Sequence, residues 1–135
     1  MNEITVLVIE PEKTPYVKSI PSGLASLQQE VGGYIQAIYP WEDDPCCIVC
    51  DEEGKLKRSQ YNRVLRDEDG DIYDVIAGTF LIVGLGEENF VSLESKYIQK
   101  YNERFAVPEL FVEDGERLIV MPMKGSYEVR KEKIE

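Results

Sequence analysis

The sequence predicts an α+β domain: a mostly antiparallel sheet with two packed helices. Two observations carry that prediction. Short, continuous apolar runs (ITVLVI, CCIVC and TFLIVGL) recur along the chain between acidic, glycine-bearing turns, as buried strands do. Two other segments carry apolar residues three and four positions apart, which places them on one face of a helix.

The elements follow in order. Glu3 to Glu10 reads as a buried first strand that stops at Pro11, because proline cannot donate to a sheet ladder. Tyr16 to Ile20 reads as a second strand, making residues 3–20 a hairpin around EPEKTP. Ser22 is placed to cap a helix over Gly23 to Val31, with Leu24, Leu27 and Val31 on its apolar face. Gly32 or Gly33 supplies its left-handed stop. Tyr34 to Tyr39 alternates as a strand and Pro40 closes it. Cys46 to Cys50 is the next strand, and Asp51 to Gly54 a turn. The stretch up to Arg66 is ambiguous, since Tyr61, Val64 and Leu65 also fit one helical turn. Ile72 to Ile76 and Thr79 to Leu85 are strands, the latter rich in β-branched and aromatic residues. Ser92 is the expected cap of a second helix, Leu93 to Phe105, with Leu93, Tyr97, Tyr101 and Phe105 four apart and Ile98 beside them. Leu110 to Val112 and Arg117 to Met123 are the last strands.

The 135 residues suit one domain, expected over 1–123 with a polar C-terminal tail over 124–135. The longest apolar runs are about seven residues, against roughly 20 for a membrane span. The N-terminus begins MNEITVLVIEPEK, without the basic start of a secretory signal, so a cytoplasmic protein is expected. The net charge of −11 disfavours direct contact with nucleic acids or anionic membranes. The only basic candidate patch, Lys124 to Lys133, is interrupted by Glu128 and Glu132. Histidine is absent, which removes the commonest general base and metal ligand.

Several constellations invite chemistry and fall short of it. Cys46 and Cys50 point to one face of a strand and Cys47 to the other, so core filling is favoured over zinc or redox work. Asp67-Glu68-Asp69-Gly70-Asp71 looks like part of a calcium loop, but with Gly70 at the sixth position the anchor positions are Leu65 and Ile76, and a solvated turn is favoured. Gly84-Leu85-Gly86 follows a strand, yet Asn89 stands where a dinucleotide fingerprint needs glycine. No cofactor or metal is expected. Arg63 has the planar fork that binds anions, with Asn62 beside it and Asp74 beyond the turn; a structural ion pair or hydrogen bond is the competing reading. Tyr39 and Trp41 flank Pro40 next to Glu42-Asp43-Asp44, which suits either a protein-binding edge or, for Tyr39, core packing.

The opening Val6-Leu7-Val8-Ile9-Glu10-Pro11, the strand Ile35-Gln36-Ala37-Ile38-Tyr39, the pair Asn62-Arg63, the run Ile76-Ala77-Gly78-Thr79-Phe80 and the helix through Phe105 together resemble a bacterial family named domain of unknown function 3846. The resemblance spans about Ile4 to Val112. It implies proteins of gram-positive gut bacteria, their phages and conjugative elements, travelling with antirestriction and plasmid-maintenance genes. It supplies no catalytic residue and directs attention to Asn62, Arg63, Gly78 and Thr79. The leading expectation is a non-enzymatic accessory protein whose partner is another protein. The alternatives are an acidic DNA mimic with an antirestriction-like role, a metal-assisted enzyme built on carboxylates, and a small-ligand module with its pocket near Arg63 and Asp74. Oligomeric state is not fixed by the sequence.

Overall fold

A computed structural model describes residues 2–123. The continuous apolar runs form the middle of a sheet buried on both faces. The strands are β1 (Glu3–Ile9), β2 (Tyr16–Pro21), β3 (Ile35–Ile38), β4 (Cys46–Asp51), β5 (Tyr61–Arg66), β6 (Ile72–Ala77), β7 (Phe80–Leu85), β8 (Phe90–Val91), β9 (Glu109–Asp114) and β10 (Arg117–Pro122). The helices are α1 (Leu24–Val31) and α2 (Ser95–Arg104). The main sheet runs β2-β1-β7-β4-β3, with β8 added beside the end of β7. Every described pairing is antiparallel, including the separate hairpins β5–β6 and β9–β10.

Strand alternation sorts the core into two layers. Leu7, Ile9, Cys46, Ile48, Phe80 and Ile82 face α2 and the β5–β6 hairpin, meeting Tyr101, Phe105, Leu65 and Ile76. Val6, Val8, Cys47, Val49, Leu81 and Val83 face the other way, toward Leu27 and Val31 of α1. The cross-strand register explains the sorting: Ile82 lies opposite both Leu7 and Ile48, so these side chains share a face. The two helices therefore pack on opposite sides of one sheet. The cysteines divide as strand alternation requires, and all are free and buried.

Several local expectations are corrected. Ser22 does not cap α1; Gly23 takes that position at φ 115° and no side chain caps the helix. Leu24 lies off the buried stripe, 57% exposed, while Leu27 and Val31 are buried. Gly32 does end α1, in the left-handed conformation. Ser92 does not cap α2, which begins after Glu94; its hydroxyl accepts the Thr5 N–H at 2.9 Å and ties β1 to the chain after β8. Tyr61 to Arg66 is a strand, not a helical turn: pairing with β6 buries Val64 and Leu65, which local spacing alone could not decide. The short β8 was not foreseen. The expected tail, 124–135, and the candidate basic patch Lys124 to Lys133 lie outside the described residues.

Gly84 has a specific reason to be glycine. A Cβ there would sit 2.4 Å from the Ser92 carbonyl oxygen, a backbone atom that cannot swing aside. Gly84-Leu85-Gly86 is thus where β8 crosses close to β7, not a phosphate loop. Gly84→Ala is expected to destabilise the fold by about 1–3 kcal/mol through overpacking. Urea unfolding checks this; a midpoint equal to wild type would show that the crossing relaxes freely.

Ionisation of the buried thiols gives a second test. Burial pushes Cys46 and Cys50 up to about 11 and Cys47 up to about 12, from 9.0. A folded pKa above the unfolded one contributes stability that is complete below the unfolded value and lost as pH rises. Stability should therefore decline from about pH 9 upward, and replacing the three cysteines with alanine should flatten the part of this limb that comes from the thiols. The native thiols should not react with a disulfide reagent until the chain unfolds.

Candidate functional site

Asn62 and Arg63 enter β5 fully buried, 0% and 1% exposed. Their side chains bond inward to backbone. Asn62 Nδ2 donates to the carbonyls of Ile9 at 2.8 Å and Gly78 at 2.9 Å. Arg63 Nε and Nη2 donate to the Phe105 carbonyl at 3.2 and 2.9 Å, and Nη2 also to the Lys13 carbonyl at 2.7 Å. Nη1 donates to the Asn62 carbonyl at 3.3 Å and to Asn62 Oδ1 at 2.8 Å. These contacts occupy all five guanidinium N–H groups.

Arg63 is therefore a structural clamp with no donor left for a ligand. It joins the end of α2, the β1–β2 loop and β5, while Asn62 adds β1 and the turn before β7. Burial pushes the Arg63 guanidinium down to about 10, with the nearby Glu109 charge opposing that fall. The carbonyl of Phe105 lies at the C-terminal end of α2, where the helix dipole favours a cation. Glu109 also accepts the Val64 N–H at 2.8 Å, so it holds β9 against the same strand.

The other sequence-predicted positions separate. Gly78 joins the Asn62 bolt; its φ is 85° and its N–H donates to the Gln60 carbonyl at 2.7 Å. Thr79 is half-buried, just before β7. Asp74 pairs with Lys55 at 2.7 Å and lines a cleft of about 180 Å³ beside Cys50 and Asp51. Arg63 lines a different cleft, of about 70 Å³, with Trp41 and Arg104. Arg63 and Asp74 thus line separate clefts. Trp41 is half-buried, stacked on Tyr101 with ring centroids 4.0 Å apart, and Arg104 lies 6.0 Å from its ring. Tyr39 is the exposed aromatic of the two, at 61%.

The acidic clusters are also spoken for in part. Asp44 accepts Lys100 Nζ at 2.6 Å and the Tyr101 hydroxyl. Those two bonds hold its carboxyl below the usual range, and burial together with Asp44 raises the Tyr101 phenol. Burial pushes the Asp51 carboxyl up, but Lys57 Nζ at 2.8 Å and the Glu53 N–H hold it low on balance. Lys57 also donates to the Gly32 carbonyl at 3.1 Å, closing the end of α1 onto β4. Asp67, Asp69 and Asp71 place oxygens within 4.8 Å of one another on the surface. Asp67 Oδ1 accepts the N–H groups of Asp69 at 3.0 Å and Asp71 at 2.9 Å, which is how an aspartate closes a tight turn.

A wider concavity than the Arg63 and Asp74 clefts lies on the α1 face. It is an open groove of about 1190 Å³, larger than the usual small-molecule site. Leu27, Ile35, Leu85 and Phe90 line it, with Leu24, Tyr39 and Val91 exposed around them. It exists because α1 has only 8 residues and covers only part of its sheet face. Glu3, Glu87 and Glu88 also line it, and among the described residues no lysine or arginine does. Sequence reasoning assigned Leu24 to the core and gave no role to residues 87–91. The available signal was the pair Glu87-Glu88 set between Leu85 and Phe90-Val91.

Fold and site define an α+β domain whose buried polar groups serve structure and which carries an open, acid-lined groove of mixed polar and apolar lining. The chain belongs to the family described as domain of unknown function (DUF3846), whose model matches residues 4–106. That match ends before β9, so the β9–β10 hairpin lies outside it. No curated protein and no solved structure matches the chain.

Removing the clamp should cost stability in the absence of any ligand. Arg63→Met leaves buried carbonyls unpaired and is expected to cost about 3 kcal/mol or more. Arg63→Lys keeps the charge but offers a single ammonium in place of the planar fork, and should recover only part of the loss. Urea midpoints measure both. For Asp44, a folded pKa below the unfolded one contributes stability that is present above the unfolded value and lost as pH falls through the folded value. Asp44→Asn should therefore lower stability at neutral pH and flatten the acid limb of the stability curve.

Proposed function

We propose that this protein is a non-enzymatic accessory protein of a bacterium or its mobile elements that acts by binding another protein. The observation that carries the reading is the groove on the α1 face. Leu24, Tyr39 and Val91 expose 57%, 61% and 42% of their surface around one concavity. Apolar side chains exposed together rather than singly mark interaction surfaces. An aromatic on such a surface offers large contact area at low entropic cost. The bacterial and mobile-element setting comes from the family resemblance alone.

A structural account of the polar residues supports the same reading. Arg63, Asn62, Asp44 and Asp51 are each bonded to groups of the fold. The cysteine thiols are held protonated by burial, which makes poor nucleophiles and poor metal ligands.

The test is affinity capture from a gram-positive lysate after nuclease treatment, comparing wild type with Leu24→Gln/Tyr39→Ser. Both side chains are exposed, so folding stability should change by only about 0.5 kcal/mol. A partner retained by wild type and lost by the variant is expected. Equal retention by both proteins would remove the groove from the interaction. Release of DNA-binding proteins at rising salt, unaffected by the groove substitutions, would favour the acidic-mimic reading instead.

A further inference from the structure

We infer that the groove on the α1 face takes a basic, extended protein segment carrying large apolar side chains. The inference rests on the protein-binding reading above and names the partner's chemistry. Its basis is the placing of exposed Leu24, Tyr39 and Val91 beside charge of one sign. The residues that line the groove include Glu3, Glu87 and Glu88 and, among the described residues, no lysine or arginine.

The three carboxylates differ in how far they are committed. Glu3 accepts the Ser19 hydroxyl at 2.8 Å. Glu87 and Glu88 form no ion pair among the described residues. This contrasts with Glu10, Glu30, Asp44, Asp51 and Asp74, each of which is paired with a lysine of the chain. Glu87 and Glu88 sit in the β7–β8 turn, where the Gly86 N–H donates to the Asn89 carbonyl at 2.9 Å. The turn is anchored below by the close crossing at Gly84 and by the Ser92–Thr5 bond. The turn thus sets both residues next to Leu85, Phe90 and Val91 in the groove lining.

An apolar surface beside low-dielectric walls and like charges focuses the field outward, attracting a cation and repelling an anion. An acidic or neutral apolar segment would satisfy the lining and leave the carboxylates unpaired. A lysine- or arginine-bearing segment satisfies both, and lysine and arginine stems can also lie along the apolar lining while their charges reach the turn. The groove's size and openness suit a length of chain better than a compact metabolite.

The experiment measures binding of fluorescent peptides to the full chain by anisotropy. The probes are a short peptide of alternating leucine and lysine, its leucine–serine counterpart and its leucine–glutamate counterpart. The proteins are wild type, Glu87→Gln/Glu88→Gln, Leu24→Gln/Tyr39→Ser, and the control Glu113→Gln/Glu116→Gln, which removes the same charge elsewhere. The leucine–lysine peptide should bind wild type best and weaken as salt rises from about 50 to 500 mM, as ion pairs at a surface do. Glu87→Gln/Glu88→Gln and Leu24→Gln/Tyr39→Ser should each weaken it about tenfold, and the control by less than about twofold.

Equal weakening by the Glu87/Glu88 pair and the control would mean undirected charge attraction, and would overturn the inference. Equal binding of the leucine–serine peptide, lost in Leu24→Gln/Tyr39→Ser, would overturn the basic partner while leaving the groove as a protein-binding site. Binding unchanged in both groove variants would overturn both readings.

Discussion

The structure turns on the burial of one guanidinium. Arg63 sits inside the protein with every N–H donated to a carbonyl or amide oxygen, and three of the five bonds reach two carbonyls far away in sequence, those of Phe105 and Lys13. Burying a charge without a bonded carboxylate is costly, and the cost is offset only while all five bonds form together. That makes the clamp cooperative. The end of α2, the β1–β2 loop and the β5–β6 hairpin either meet at Arg63 or lose their common partner. Asn62 acts in the same place, orienting the guanidinium through its amide oxygen while its nitrogen bonds β1 and the Gly78 turn.

The rest of the architecture follows from what that clamp secures. It holds the β5–β6 hairpin and α2 against one face of the main sheet, where Phe105 packs edge-on to Phe80 with centroids 5.5 Å apart. Trp41 closes the same layer over Tyr101. The opposite face has only the short α1, tied at its C-terminal end by Lys57 and Asp51 and left uncapped at its start. One face of the sheet is consequently sealed and the other is partly open. The groove is the direct result of that asymmetry: it is the portion of an apolar sheet face that eight helical residues do not reach.

Some of the acids are tied to the fold and others are not. Near α2, Asp44 is paired with Lys100, and Glu109 accepts the Val64 N–H of β5. Around the open side, Glu87 and Glu88 extend from a turn without partners among the described residues. An acidic protein must carry its excess charge somewhere, and charge governs association more than fold. The position of these two carboxylates beside exposed Leu24 and Val91 is what gives the excess a direction.

The sequence by itself determined most of the strands, the two helices and the family, because those rest on local pattern. Apolar runs broken by Pro11, Pro40 and Asp51-Gly54 mark strands wherever they sit, and alternation alone separates Cys47 from Cys46 and Cys50. The tertiary structure decided everything that required distant partners. Whether Tyr61 to Arg66 became strand or helix depended on β6, and whether Ser92 capped a helix or bonded Thr5 depended on β1. Which of Tyr39 and Trp41 was exposed depended on where Tyr101 stood. Arg63 looked like an anion site because its chemistry is visible in the chain; its acceptors at Lys13 and Phe105, 50 and 42 residues away, are not. A local pattern reports what a residue can bond to, and only the folded chain decides which of those bonds are already taken.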